Sequence, residues 1–215
     1  MFTAIFDLDG TLIDTALDLL LAGNATYEEI GIDFRLTPGQ DEGISSGGGR
    51  SMIRYGLKQA GREFTEKTVD DLYPVLLSHY DKTIDANSYV YDGIEQALVD
   101  LQDNGWFLGI CTNKPEHQAN EILNRFNIRH YFKSVIGADT MSSAKPNPEP
   151  LIASIERAGG TIHNSVLIGD TETDFLTAKA ASVPIILVGY GHGAITQNLS
   201  SMKPSTIIEH PNEIA

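Results

Sequence analysis

The chain has 215 residues, 41% hydrophobic and 20% charged, which is the balance of an ordinary globular protein with one core, or a core and an insert. A formal net charge of -14 repels nucleic-acid phosphates and anionic lipid, so neither is expected as a partner, and any anionic substrate needs local cations. Cys111 is the single cysteine, so no intrachain disulfide can form. With no basic-then-apolar leader and no apolar run long enough to cross a bilayer, the reading is a cytoplasmic protein without a membrane partner.

In chain order, residues 4–6 form a short apolar run that predicts a buried strand. Residues 16–30, 50–60 and 66–80 then show helical patterns, with Thr15 and Thr65 as candidate N-caps, and no convincing strand lies among them. From there strands and helices alternate. Helices are predicted over 93–104, 115–126, 148–158 and Glu172–Ala181, and strands over Phe107–Cys111, 135–136, 166–168 and Ile185–Val188. Pro115 and Pro148 suit a first helical turn, where the missing N–H costs nothing. This alternation predicts an α/β fold, a Rossmann-like parallel sheet core with helices on both faces, built from 1–14 and 86–215. Residues 15–85 are expected to be an inserted helical cap. Placed just after a strand end, it could serve as a lid, with hinges near Asp14 and residues 87–93.

Asp7 and Asp9 follow the first strand and precede Gly10, so their carboxylates are expected close together. An acidic, solvated turn is the plainer reading of such a pair alone. Asp170 stands at the end of another predicted strand, and Asp174 four residues on, where the plain alternative is a charge at a helix N-terminus. Ends of parallel strands lie side by side, so the four carboxylates can converge into a hard oxygen site suited to Mg²⁺. Lys145, in a loop with three prolines, is either a surface lysine or a fixed cation beside them. Thr112, with Asn113 next to it, follows a strand; it can cap a helix, hold phosphate oxygens with its hydroxyl and nearby N–H groups, or do both.

Four ordered motifs carry a resemblance. They are Asp7–Thr15 (DLDGTLIDT), Thr112 in TNKP, Lys145 in KPNPEPL and Gly169–Asp174 (GDTETD). With them the chain resembles the haloacid dehalogenase superfamily and, more narrowly, the phosphoglycolate phosphatases. The likeness spans nearly the whole chain and is weakest in the helical segment, where GISSGGGRSMIRYGL is still similar to that subfamily's cap.

The resemblance implies a phosphatase that forms an aspartyl-phosphate on Asp7, with Asp9 as general acid and then base. It implies Mg²⁺ on Asp7, Asp9 (through its backbone carbonyl) and Asp170, with Asp174 supporting that site. Thr112, Asn113 and Lys145 would steady the phosphoryl group. Four carboxylates against Lys145 and one Mg²⁺ come to about neutral if one carboxyl is protonated, so the metal is expected to be needed. Hydrolytic dehalogenases lack the second aspartate, so Asp9 favours phosphoryl chemistry. The expected partner is a small phosphorylated metabolite, handled by a monomer or homodimer. Gly48 and Arg50 are candidate substrate contacts, against the plainer reading of a helix entry and a solvated arginine, and Lys114 is a second candidate cation. His192 is read as structural and Cys111 as a small core residue. The rivals are a β-phosphoglucomutase-like phosphomutase and a non-catalytic binding protein on the same scaffold.

Overall fold

The computed structural model describes the backbone of residues 1–215 and the side chains of all but Ile195 and Thr196. Its contacts divide the chain into two compact units, residues 1–14 with 89–215, and residues 15–88.

The first unit holds eight strands: β1 (Thr3–Phe6), β2 (Ile13–Asp14), β3 (Tyr89–Val90), β4 (Phe107–Cys111), β5 (Ser134–Ile136), β6 (Ser165–Gly169), β7 (Ile185–Val188) and β8 (Thr206–Ile208). Six form one sheet in the order β5-β4-β1-β6-β7-β8, with every pairing parallel. The chain builds outward from β1 through β4 to β5, then returns to the other side of β1 with β6. That reversal makes the carboxyl ends of β1 and β6 the switch point at which such sheets bind ligands. Register brings Phe6 level with Ile110 on one side and Ile168 on the other, so the residues that follow all three strands meet at one edge. Strands β2 and β3 pair antiparallel as a two-residue ribbon, and β8 extends the sheet; the sequence reading lacked all three.

The second unit consists of α1 (Ala16–Glu29), α2 (Glu42–Ser45), α3 (Gly48–Gln59) and α4 (Glu66–Asp81). Thr65 caps α4 as expected, through a reciprocal box with Thr68. Thr15 precedes α1 but does not cap it with its side chain: at φ -116° and ψ 3° its backbone lacks the extended geometry that aims a hydroxyl at the first turn. Asp18, fully buried in that turn, accepts bonds from the N–H of Asn87 and of Ser88 at 2.9 and 2.8 Å. The Asn87 amide and Ser88 hydroxyl also donate to it, at 2.7 and 2.6 Å, so the end of this unit is tied to its beginning.

Helices α5 (Ile94–Asp103), α6 (Glu116–Arg125), α7 (Glu149–Ala158), α8 (Glu172–Ala181) and the short α9 (His192–Thr196) belong to the first unit. Side chains alternate across the sheet. Ile5, Cys111, Leu167, Ile185 and Leu187 pack with Leu151 and Ile155 of α7 and Ala178 and Ala181 of α8 in one core cluster. Phe6 points the other way and meets Phe132 edge-on, with ring centroids 6.1 Å apart, while α5 packs on β4 and α6 on β5. Each fully buried Leu or Ile contributes about 1.5–3 kcal/mol. This double-sided burial holds β1 at the centre and fixes where its carboxyl end lies.

Candidate active site

Asp7 leaves β1 with its N–H still bonded to Ile168 O at 2.8 Å, so the strand pairing sets its place. The chain then turns tightly: Gly10, Leu12 and Ile13 close backbone bonds within residues 8–13. Gly10 sits at φ +78°, and a Cβ there would collide with the Asp170 carboxylate, so glycine lets the two loops touch. Asp170, 1% exposed, accepts from Gly193 N–H at 2.9 Å on one oxygen and from the Thr11 hydroxyl at 3.3 Å on the other. Neither the Thr11 nor the Gly193 contact was read from the sequence, although Thr11 lies in the first motif and Gly193 follows His192.

Asp174 opens α8 in a capping box. Its Oδ2 accepts from the Thr171 hydroxyl at 2.6 Å and the Thr171 N–H at 3.1 Å. Its Oδ1 accepts from Lys145 Nζ at 2.6 Å. The Lys145 ammonium is buried and also lies 3.0 Å from Asp7 Oδ1. Asn113 brackets the lysine's backbone: its amide accepts from Lys145 N–H and donates to Lys145 O, each at 3.0 Å. Thr112 is buried at the end of β4, and its hydroxyl accepts from Lys114 N–H at 3.2 Å. The Lys114 ammonium forks onto Asp9, with Nζ 2.8 Å from Oδ1 and 3.1 Å from Oδ2. That pairing spans 105 positions, and no local sequence signal marks it.

Asp7, Asp170 and Asp174 each offer an oxygen within 4.8 Å of the others. Asp7 Oδ1 is buried and completes no hydrogen bond, although the Lys145 ammonium pairs with it at 3.0 Å. An open lone pair among buried carboxylates fits a hard cation such as Mg²⁺. Both oxygens of Asp174 and both of Asp170 already accept hydrogen bonds, so the least engaged oxygen of the three carboxylates belongs to Asp7. Lys114 also changes the charge count: with all four carboxylates ionised, two ammonium groups leave two negative charges, which one divalent ion would cancel.

Burial raises the Asp7 carboxyl to about 6; Lys145 opposes the shift, while Asp174 and Asp9 add to it. Burial, then Asp174 and Asp7, push Asp170 well above the usual carboxylate range. Burial works against the charge of Lys145, but Asp174 and Asp7 outweigh it and hold the ammonium above its ordinary value. The Cys111 thiol, behind this cluster, is pushed up to about 12 by burial.

A supporting layer lies beside Asp170. His192 Nε2 is 2.9 Å from Asp14 Oδ1, and the Tyr89 hydroxyl donates to Asp14 Oδ2 at 2.9 Å. The Tyr190 hydroxyl donates to Thr11 O at 3.0 Å, which braces the loop carrying Asp7 and Asp9. In the helical unit, Arg50 pairs with Asp70 and stands over the Tyr73 ring, 4.2 Å from its centroid. Gly48 has φ +76° and open space at its Cβ position.

Fold and site together define an α/β enzyme with aspartates gathered at the carboxyl ends of neighbouring parallel strands. The chain belongs to the haloacid dehalogenase-like hydrolases, whose sequence model matches residues 4–188. It is 35% identical over 212 residues to a phosphoglycolate phosphatase from Mesorhizobium japonicum, covering 96% of this chain and 89% of that one. It is 34% identical over 206 residues to a phosphoglycolate phosphatase from Agrobacterium fabrum, covering 96% and 87%. Among solved structures it superposes on a predicted phosphoglycolate phosphatase from Haemophilus somnus with a TM-score of 0.86 at 24% identity, covering 100% of this chain and 96% of the other. A haloacid dehalogenase-like hydrolase from Streptococcus pneumoniae gives 0.81 at 21% identity with the same coverage. These two likenesses are of fold.

Proposed function

We propose that the chain is a Mg²⁺-dependent phosphatase of small phosphate monoesters, with phosphoglycolate the favoured substrate, acting in the cytoplasm as a monomer or homodimer. The observation that carries the reading is the buried, undonated oxygen of Asp7, set between the Lys145 ammonium and Asp170. A carboxylate so placed can attack phosphorus, and the names of the relatives supply the substrate.

Asp7 adds an oxygen to phosphorus and forms an aspartyl-phosphate, while the bond to the leaving oxygen breaks. Asp9, two residues on and more exposed, gives its proton to the departing alkoxide. It then takes a proton from the water that hydrolyses the acyl phosphate, which frees phosphate and restores Asp7. Lys145 neutralises charge on the transferring group while Asp174 holds its ammonium in place. Thr112 offers its hydroxyl to a phosphoryl oxygen. Asp7, the backbone carbonyl of Asp9 and Asp170 would hold Mg²⁺, which when bound supplies positive charge against the phosphate oxygens.

Phosphate release from a panel of monoesters tests this reading. Asp7→Asn should abolish turnover. Chelation and dialysis should remove it and Mg²⁺ restore it. Asp9→Asn should slow alkyl esters more than nitrophenyl phosphate, whose leaving group needs no proton. Full turnover after chelation, or isomerisation of a sugar phosphate without phosphate release, would overturn the proposal.

A further inference from the structure

Two buried ammonium groups serve the carboxylates of the sheet unit, and their partners differ. Lys145 sits between Asp7 and Asp174, on the side of the transferring phosphoryl group. Lys114, whose side chain is 3% exposed, forks onto both oxygens of Asp9, whose side chain is 27% exposed. Resting on the phosphatase reading above, Asp9 must turn an oxygen towards the leaving alcohol, and the fork to Lys114 then opens. A buried ammonium that loses part of its counter-charge is costly. A negative group carried on the alcohol itself offsets that loss, and it does so only in productive complexes.

We infer that Lys114 is the specificity-determining residue that makes this enzyme prefer phosphate esters whose alcohol bears a carboxylate. Lys145 cannot fill that role, because Asp7 and Asp174 hold it on the phosphoryl side. The TNKP segment thus divides its work: Asn113 fixes the backbone of Lys145, Thr112 lies at the strand end, and Lys114 marks the leaving-group side.

The test compares kcat/KM for phosphoglycolate and for hydroxyethyl phosphate, an ester of the same length with a neutral alcohol. Wild type should favour phosphoglycolate by about 10- to 100-fold, the scale of one charge-assisted bond. Lys114→Met should slow both esters, since both leaving groups need Asp9, and should bring their ratio close to one. Lys114→Arg should recover part of the preference. If Lys114→Met fails to fold, the same ratio in Lys114→Gln, which keeps a donor for Asp9, decides the matter. Equal loss on both esters with the ratio preserved, or no preference in wild type, overturns this inference alone. No phosphate release from any ester, nitrophenyl phosphate included, overturns the phosphatase reading and this inference with it.

Discussion

Asp7 binds its proton more tightly in the folded chain than in the unfolded one, because burial lifts its carboxyl from 3.8 to about 6. The sign follows from linkage. Below the unfolded value this group costs nothing; the cost grows as pH rises between the two values and is full above about 6. Asp170 is shifted in the same direction. Metal-free Asp7→Asn should therefore be more stable than metal-free wild type near neutral pH, with a gap that narrows as pH falls towards about 4. Urea melts across pH measure this, and saturating Mg²⁺ should shrink the gap by supplying the missing positive charge; a gap that widens on acidification would refute it. At this scale the motif residues were legible because each sits next to a strand end or a glycine. The pairs Lys114–Asp9 and His192–Asp14 were not, because their members lie 105 and 178 positions apart and meet only through the sheet order.

Two helices show how one local device serves different ends. Thr65 caps α4 in a solvent-facing box, whereas Thr171 caps α8 in a buried box whose second member, Asp174, also holds Lys145. Removing either hydroxyl should cost about 1 kcal/mol of stability. Only Thr171→Ala should also lower kcat, because it frees Asp174 to leave the lysine. Melts paired with steady-state kinetics on Thr65→Ala and Thr171→Ala check this, and equal activity in the two variants would count against it. The buried strands of the central sheet were readable as apolar runs bounded by turn residues. The β2–β3 ribbon was not, because two residues per strand carry no period, and β8 was missed as a three-residue strand whose first residue is exposed. Thr15 has the composition of a cap, but its backbone angles decide otherwise.

The molecule as a whole carries -14, while at the site two lysines offset half the charge of the four carboxylates and a divalent ion would offset the rest. At a distance a phosphate ester meets the overall charge, and only on arrival does it meet the lysines. Adding an inert salt should therefore raise kcat/KM for a dianionic ester at low ionic strength, since screening weakens the long-range repulsion. A steady fall with salt would show that local attraction dominates the approach. The alternation of strand and helix made the sheet unit legible, and the strand-free stretch marked out a helical unit. Where the boundary falls depends on Asp18, which draws Asn87 and Ser88 to α1 through contacts no pattern announces. The lone sulfhydryl offers a view of the sheet unit's opening. Cys111 is fully buried, and its proton is held so firmly that an alkylating reagent near neutral pH meets a reactive thiolate only in chains that have opened. Alkylation thus keeps time for unfolding. A compound that binds only the closed form should slow that clock in proportion to its occupancy, so candidate esters can be ranked on the inactive Asp7→Asn chain with no turnover at all.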